Sequence, residues 1–257
     1  MSLRIAPLDM SYNTVGRLNK IATLLLYTST LISICITTLG YFKLLPPFQI
    51  FLIVVNSLFI CLYLFLDGRA SYIFTRAEMK RRLDWLDNSF ETNFSGKKSK
   101  NYFTNDNLSP GLYKLAVNCF ENSYHTEFII SKMLPSIFVE TTIIALAFVT
   151  SSYLGNKEIV RLFFELSLPA ILIQKLIKAV IYSSRIAEVH DRFKLLFSDL
   201  MKHEFDCKTA EALRDILEYE TALAWGSIPL QSKIFWKFKD ELASDWIELK
   251  KEYKISL

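Results

Sequence analysis

Apolar residues fall into four long blocks, separated by segments as charged as those of a water-soluble protein. A helix needs roughly 20 apolar residues to cross the hydrocarbon core of a bilayer. The first block, residues 21–42, is bracketed by Lys20 and Lys43; the second, 47–66, ends at Asp67. Their link, from Lys43 to Pro47, is so short that the two predict a tight hairpin. The third block, 133–154, and the fourth, 162–182, joined through Gly155, Asn156 and Arg161, predict a second hairpin. The expected fold is an all-α integral membrane protein: four transmembrane helices as two hairpins, with long helical cytoplasmic extensions. It divides into a cytoplasmic N-terminal tail (1–20), hairpin 1 (21–66), a cytoplasmic helical segment (67–132), hairpin 2 (133–182) and a cytoplasmic C-terminal helical segment (183–257).

Lys and Arg set the orientation, because cytoplasmic loops carry their excess. One side of the membrane would carry Lys43, Lys157 and Arg161. The other carries Arg4, Arg17, Lys20, Arg69, Arg76, Lys80, Arg81, Arg82, Lys97, Lys98, Lys100 and a basic C-terminal third. Both termini are therefore expected in the cytoplasm. The block at 21–42 reads as a retained helix and not as a cleaved signal, since a second block follows at once.

The polar segments carry helical periodicity of their own. Tyr72, Met79, Leu83, Leu86 and Phe90 recur at intervals of seven, four, three and four, which predicts an extension of the second span with one apolar face. The stretch from Ser95 to Asn101 predicts a loop, and Ser109 with Pro110 predicts an N-cap followed by Pro in the first turn. The next helix places Leu112, Ala116, Cys119 and Phe120 on one face and leads into the third span. Ile186, Val189, Phe193, Leu196 and Leu200 continue the fourth span inward, and helices follow near 210–225 and 242–253, the last with Trp246, Leu249 and Tyr253 on one side. These stripes are expected to bury against each other or against a neighbouring subunit, which makes a homo-oligomer the expected state.

Composition agrees. Hydrophobic residues make up 51% of the 257, and Gly and Pro number only seven each, which favours helices over a turn-rich β-barrel. Mean hydropathy is +0.24, above the usual soluble range. A net charge of +4 is too weak to argue for a nucleic-acid polymer as partner. The four cysteines form no CxxC pair and are expected to be inert buried thiols.

Charged residues inside the spans are the sharpest candidates for function. Glu140 and Lys175 each lie about seven residues from the cytoplasmic end, ~10 Å deep. Adjacent antiparallel helices would place them at matching depth, as a structural ion pair or as a charged element of a pore or gate. Thr23, Tyr27, Thr30, Ser33, Thr37 and Tyr41 form a hydroxyl stripe on the first span, suited to close helix packing or to lining an aqueous path. Arg76, Lys80, Arg81 and Arg82, with the run at Lys97, Lys98 and Lys100, make a basic cluster that fits anionic lipid or an anionic small ligand such as a nucleotide. Glu165 has a local partner in Arg161. His125, His190 and His203 read as ordinary polar residues. No protease, hydrolase, nucleotide-loop or dinucleotide motif is present, so no enzyme, cofactor or metal site is expected.

Two stretches carry a resemblance. One is Arg81, Arg82, Asp84, Trp85, Asp87, Asn88 and Phe90, followed by Tyr102 to Asn105 and by Asn118, Glu121 and Asn122. The other is Tyr219, Glu220 and Trp225, followed by Ser244, Asp245 and Trp246. With the four spans, they resemble the four-transmembrane effector proteins associated with bacterial cyclic-nucleotide (CBASS-type) anti-phage systems. The resemblance implies a multi-pass protein of the bacterial inner membrane that permeabilises the lipid bilayer after a cytoplasmic signal. Its partner would be a cyclic nucleotide or a soluble protein. The alternative is a membrane scaffold or anchor that recruits a soluble partner.

Overall fold

The computed structural model describes residues 8–96, 104–154 and 159–255, without the side chains of 148 and 151–169. Arg4, Lys97, Lys98, Lys100, Tyr102 and Lys157 lie outside the described residues, as do the side chains of Arg161 and Glu165. The described elements are helical: α1 (Asp9–Tyr41), α2 (Pro46–Phe90), α3 (Leu112–Leu154), α4 (Ile159–Leu200), a 3₁₀ turn (Phe205–Lys208), α5 (Thr209–Gly226), α6 (Ser232–Lys237) and α7 (Lys239–Glu252). The segment expected as an N-terminal tail is helical from Asp9 onward. The chain divides into two compact units. A polar unit takes residues 1–12, 75–133 and 179–257; a span unit takes 13–74 and 134–178.

Among the described residues, α1, α2 and α3 have the length and apolar content to cross a membrane. The fourth expected span, 162–182, lies within α4 but partly on residues whose side chains are not described. Within the span unit, α1 ends in a Schellman motif. Lys43 takes φ 53°, and the Leu44 N–H reaches back to the Leu39 carbonyl at 2.9 Å. Two residues later Leu45 caps α2, accepting from the Phe48 and Gln49 N–H groups. Pro46 and Pro47 occupy the first turn, where a missing N–H costs nothing. The hairpin expected from the short link is thus built by specific backbone bonds. Ala22, Leu26, Ile60, Tyr63, Ile144 and Leu172 form the unit's apolar core.

The polar unit is organised around Phe120. Its ring stacks on Phe197 at 5.1 Å and Phe193 at 6.1 Å, and meets Trp246 and Tyr253 edge-on. α3 is buried on all sides from Lys114 to Glu121, broader than the single face expected. It begins later than the Ser109–Pro110 signal suggests. Gly111, at φ 147°, is the last residue before the helix; its N–H bonds to the Ser89 carbonyl and its carbonyl accepts from Leu115. A φ in that range is one that side chains disfavour, which is why glycine stands there. Ile186, Val189, Phe193 and Leu196 of α4 are buried as expected.

The extension of α2 reverses its expected face. Met79, Leu83 and Phe90 are 58%, 38% and 40% exposed, while Ala77, Asp84, Trp85, Asp87 and Ser89 are buried. The polar side goes inward because it finds partners there. Asp87 accepts from the Phe94 and Ser95 N–H groups and from Thr92, which closes the helix end. Burial pushes the Asp87 carboxyl up, but these hydrogen bonds outweigh it and hold the group at about 2.

Candidate functional site

The hydroxyl stripe of α1 divides between two surroundings. Ser29 donates to Asn56 Oδ1 of α2 at 2.6 Å, and Asn56 Nδ2 donates to Ser33 Oγ at 2.9 Å. An amide bracketed by two hydroxyls is the kind of polar lock that joins membrane helices, because lipid offers these groups no other partner. Thr30 and Thr37 return their hydroxyl protons to the carbonyls four residues earlier, at Leu26 and Ser33. Ser33 therefore serves helix packing.

Tyr27 and Thr30 line a cleft between α1 and α3. It has a volume of about 480 Å³, and Ser136, Val139, Glu140 and Ile143 form its other wall. The Glu140 side chain is half-buried there, and the Tyr27 hydroxyl is its hydrogen-bond partner. A carboxylate facing an apolar cleft inside a membrane-spanning segment is a functional-site candidate by default, because its charge is costly unless paired.

Glu140 and Lys175 do not pair. Lys175 Nζ instead donates to Asp67 Oδ1 at 2.6 Å and to the Tyr63 hydroxyl at 2.8 Å, and lies 5.3 Å from the Tyr63 ring centroid. The long lysine stem explains this. It carries the ammonium toward the end of the apolar stretch of α2, where a carboxylate already stands. The two charged residues proposed as one element belong to different surroundings.

In the polar unit, Arg81 and Arg82 of the basic cluster are engaged within the chain. Arg81 bridges Glu78 at 2.8 Å and Glu220 at 3.0 Å; Arg82 meets the same Glu220 at 2.6 Å. Arg76 and Lys80 are exposed. Residues that carried the resemblance meet in a buried polar network. Asn118 donates to Asn88 and Ser89, and Asn105 donates to Asn118 and Glu121. Thr104 also donates to Glu121, whose carboxyl is pushed up by burial despite these bonds. Asn105 Oδ1 is buried without a partner among the described residues. Tyr124 donates to Asp245 at 2.6 Å.

Two histidines are not ordinary surface groups. His190 is buried, 3.2 Å from Ser123 Oγ, with Glu127 at 3.8 Å. His125 Nε2 is buried without a partner among the described residues. Burial lowers both to about 4. Of the cysteines, only Cys119 is buried; Cys35, Cys61 and Cys207 are exposed, contrary to expectation. No group of three metal-ligating side chains occurs among the described residues.

The sequence reading names Tyr27 in the hydroxyl stripe but not Asn56, Asp67 or Glu220 as site residues. Asn56 was the detectable one, an amide in the middle of an apolar block. The others are recognisable only once the helices are placed. Comparison with protein-family models, with curated proteins and with solved structures returned no match for this chain.

Proposed function

We propose that this chain is a non-enzymatic membrane effector of a bacterial anti-phage defence system, with a fourth span in α4 and both termini in the cytoplasm. In this reading it oligomerises in the inner membrane and permeabilises it after a cytoplasmic signal, with a cyclic nucleotide as the candidate trigger. The observation that carries the reading is Glu140. It faces an apolar cleft between α1 and α3, with a neutral hydroxyl for a partner. Four spans leave little room for a private aqueous path, so a pore requires several subunits, each contributing such a cleft.

The test is induced expression in a bacterial host with a membrane-potential dye, with and without added cyclic nucleotides. The expected result is depolarisation with growth arrest, abolished by Glu140→Ala. An unchanged membrane potential sinks the reading. Terminal tags clipped by protease added to intact spheroplasts would refute the topology.

One observation favours the scaffold. Met79, Leu83 and Phe90 leave an apolar stripe of the polar unit uncovered, as a docking helix would require. A stable stoichiometric complex with a soluble protein, lost in Leu83→Glu and unaccompanied by ion leakage, would establish the scaffold in place of the effector.

A further inference from the structure

Charge balance within the span unit identifies what would pass. Lys175 is neutralised by Asp67, so the ammonium adds little positive field. Glu140 has the neutral Tyr27 hydroxyl beside it, and among the described residues no cationic side chain lines the cleft. Among the described residues its lining has no Lys, Arg, His, Asn or Gln side chain. The polar side-chain atoms described there are oxygens: the Glu140 carboxylate and the hydroxyls of Tyr27, Thr30 and Ser136. Thr30 directs its proton to Leu26, which leaves its oxygen lone pairs free to accept. Such a surface offers ligands to a hard cation and little to an anion.

We infer that the permeant species is a monovalent cation, selected by the Glu140 carboxylate in the α1–α3 cleft. The inference rests on the permeabilising reading and adds selectivity to it. One carboxylate per chain attracts a monovalent ion yet lets it leave, whereas a tight divalent site draws several oxygen ligands around one ion.

The experiment uses the full chain in planar bilayers of phosphatidylethanolamine and phosphatidylglycerol, under a tenfold potassium chloride gradient. The reversal potential gives the potassium-to-chloride permeability ratio. The expected ratio is above about 5 for the native chain, falls toward about 1 in Glu140→Gln, and is kept in Glu140→Asp. Circular dichroism and gel filtration confirm that each variant is folded. A current that prefers chloride, or a ratio unaltered by Glu140→Gln, overturns the inference while the permeabilising reading stands. No current above that of bare lipid overturns both.

Discussion

Lys175 Nζ stands 2.6 Å from Asp67 Oδ1, joining α4 to the middle of α2, where its apolar stretch ends, within the span unit. A charge at the bilayer centre costs ~2.5–3.5 kcal/mol on insertion scales, so a partner near the membrane edge is a strong organising contact. Lys175→Met strands the carboxylate, and Asp67→Asn strands the ammonium. Each single variant is expected to destabilise the detergent-solubilised protein more than the double variant does. Because the pair is partly exposed, the coupling is on the order of 1 kcal/mol. Thermal unfolding of the four proteins gives the cycle, and a coupling of zero would show that the pair does not form.

Asn56 supplies both halves of the lock on α1, accepting from Ser29 and donating to Ser33. Asn56→Ala deprives two hydroxyls of their partner across the helices. The expected loss is about 1–2 kcal/mol, given ~0.6 kcal/mol for an average interhelical hydrogen bond and more where the groups are well buried. Ser29→Ala/Ser33→Ala should cost a similar amount. Adding Asn56→Ala to that pair should cost little more, which thermal unfolding in detergent measures.

Gly226 closes α5 against the Tyr182 ring. A Cβ there would lie 2.3 Å from Tyr182 Cδ2, and the ring is fully buried, so it has nowhere to move cheaply. Gly226→Ala is therefore expected to destabilise by about 1–3 kcal/mol, the usual cost of overpacking a core. Tyr182→Leu should recover part of that loss in the double variant, while in the wild-type background it only opens a cavity. Chemical denaturation of the three variants separates these outcomes.

The helices were legible in the sequence because their signals are local. The short link between Lys43 and Pro47 marked the hairpin, and the repeat from Ile186 to Leu196 marked the buried face of α4. The face of α2 beyond the span was misread. A period of three and four identifies a stripe but not the side on which the rest of the chain packs. Here the polar side wins, because Asp87 takes its hydrogen bonds from the turn that closes the helix and Asn88 from Asn118 of α3, distant in sequence. Glu140 and Lys175 were each found by charge in an apolar block. Their pairing was not, since a lysine stem can carry its charge roughly a helical turn along the axis. Asn118 and Glu121 drew notice as a resemblance, and only the fold shows that they share a network with Asn105.

Glu220 holds two arginines, Arg81 at 3.0 Å and Arg82 at 2.6 Å. Glu220→Ala removes the shared acceptor and leaves two cations close together in a part-buried site. The expected loss is about 2–3 kcal/mol, the range for charge-assisted hydrogen bonds lost on one side only. Arg82→Ala should cost less, because Arg81 and Glu220 still satisfy each other. Chemical denaturation, followed by the tryptophans of the polar unit, ranks the two.

Acid should loosen the polar unit through its histidines. In the folded chain His125 and His190 titrate at about 4, against 6.5 for an open histidine. Between those values the unfolded chain binds more protons than the folded one, so stability rises with pH and is lost as pH falls from about 6.5 toward 4. Below 4 both states are protonated and this contribution levels off. At pH 5, the penalty for the fully buried His190 is about 2 kcal/mol. Glu127 stands 3.8 Å from its Nε2 but does not offset the burial. Lys194, Asp191 and Tyr124 complete the charged and titratable surroundings of the ring. The pH dependence of the melting temperature, measured between pH 7.5 and 4.5, should show this slope. It should fall by about half in His190→Gln, which keeps a group able to bond Ser123 but cannot take up a proton in that range, with His125 supplying the rest. A slope that persists unchanged in that variant would place the acid sensitivity elsewhere.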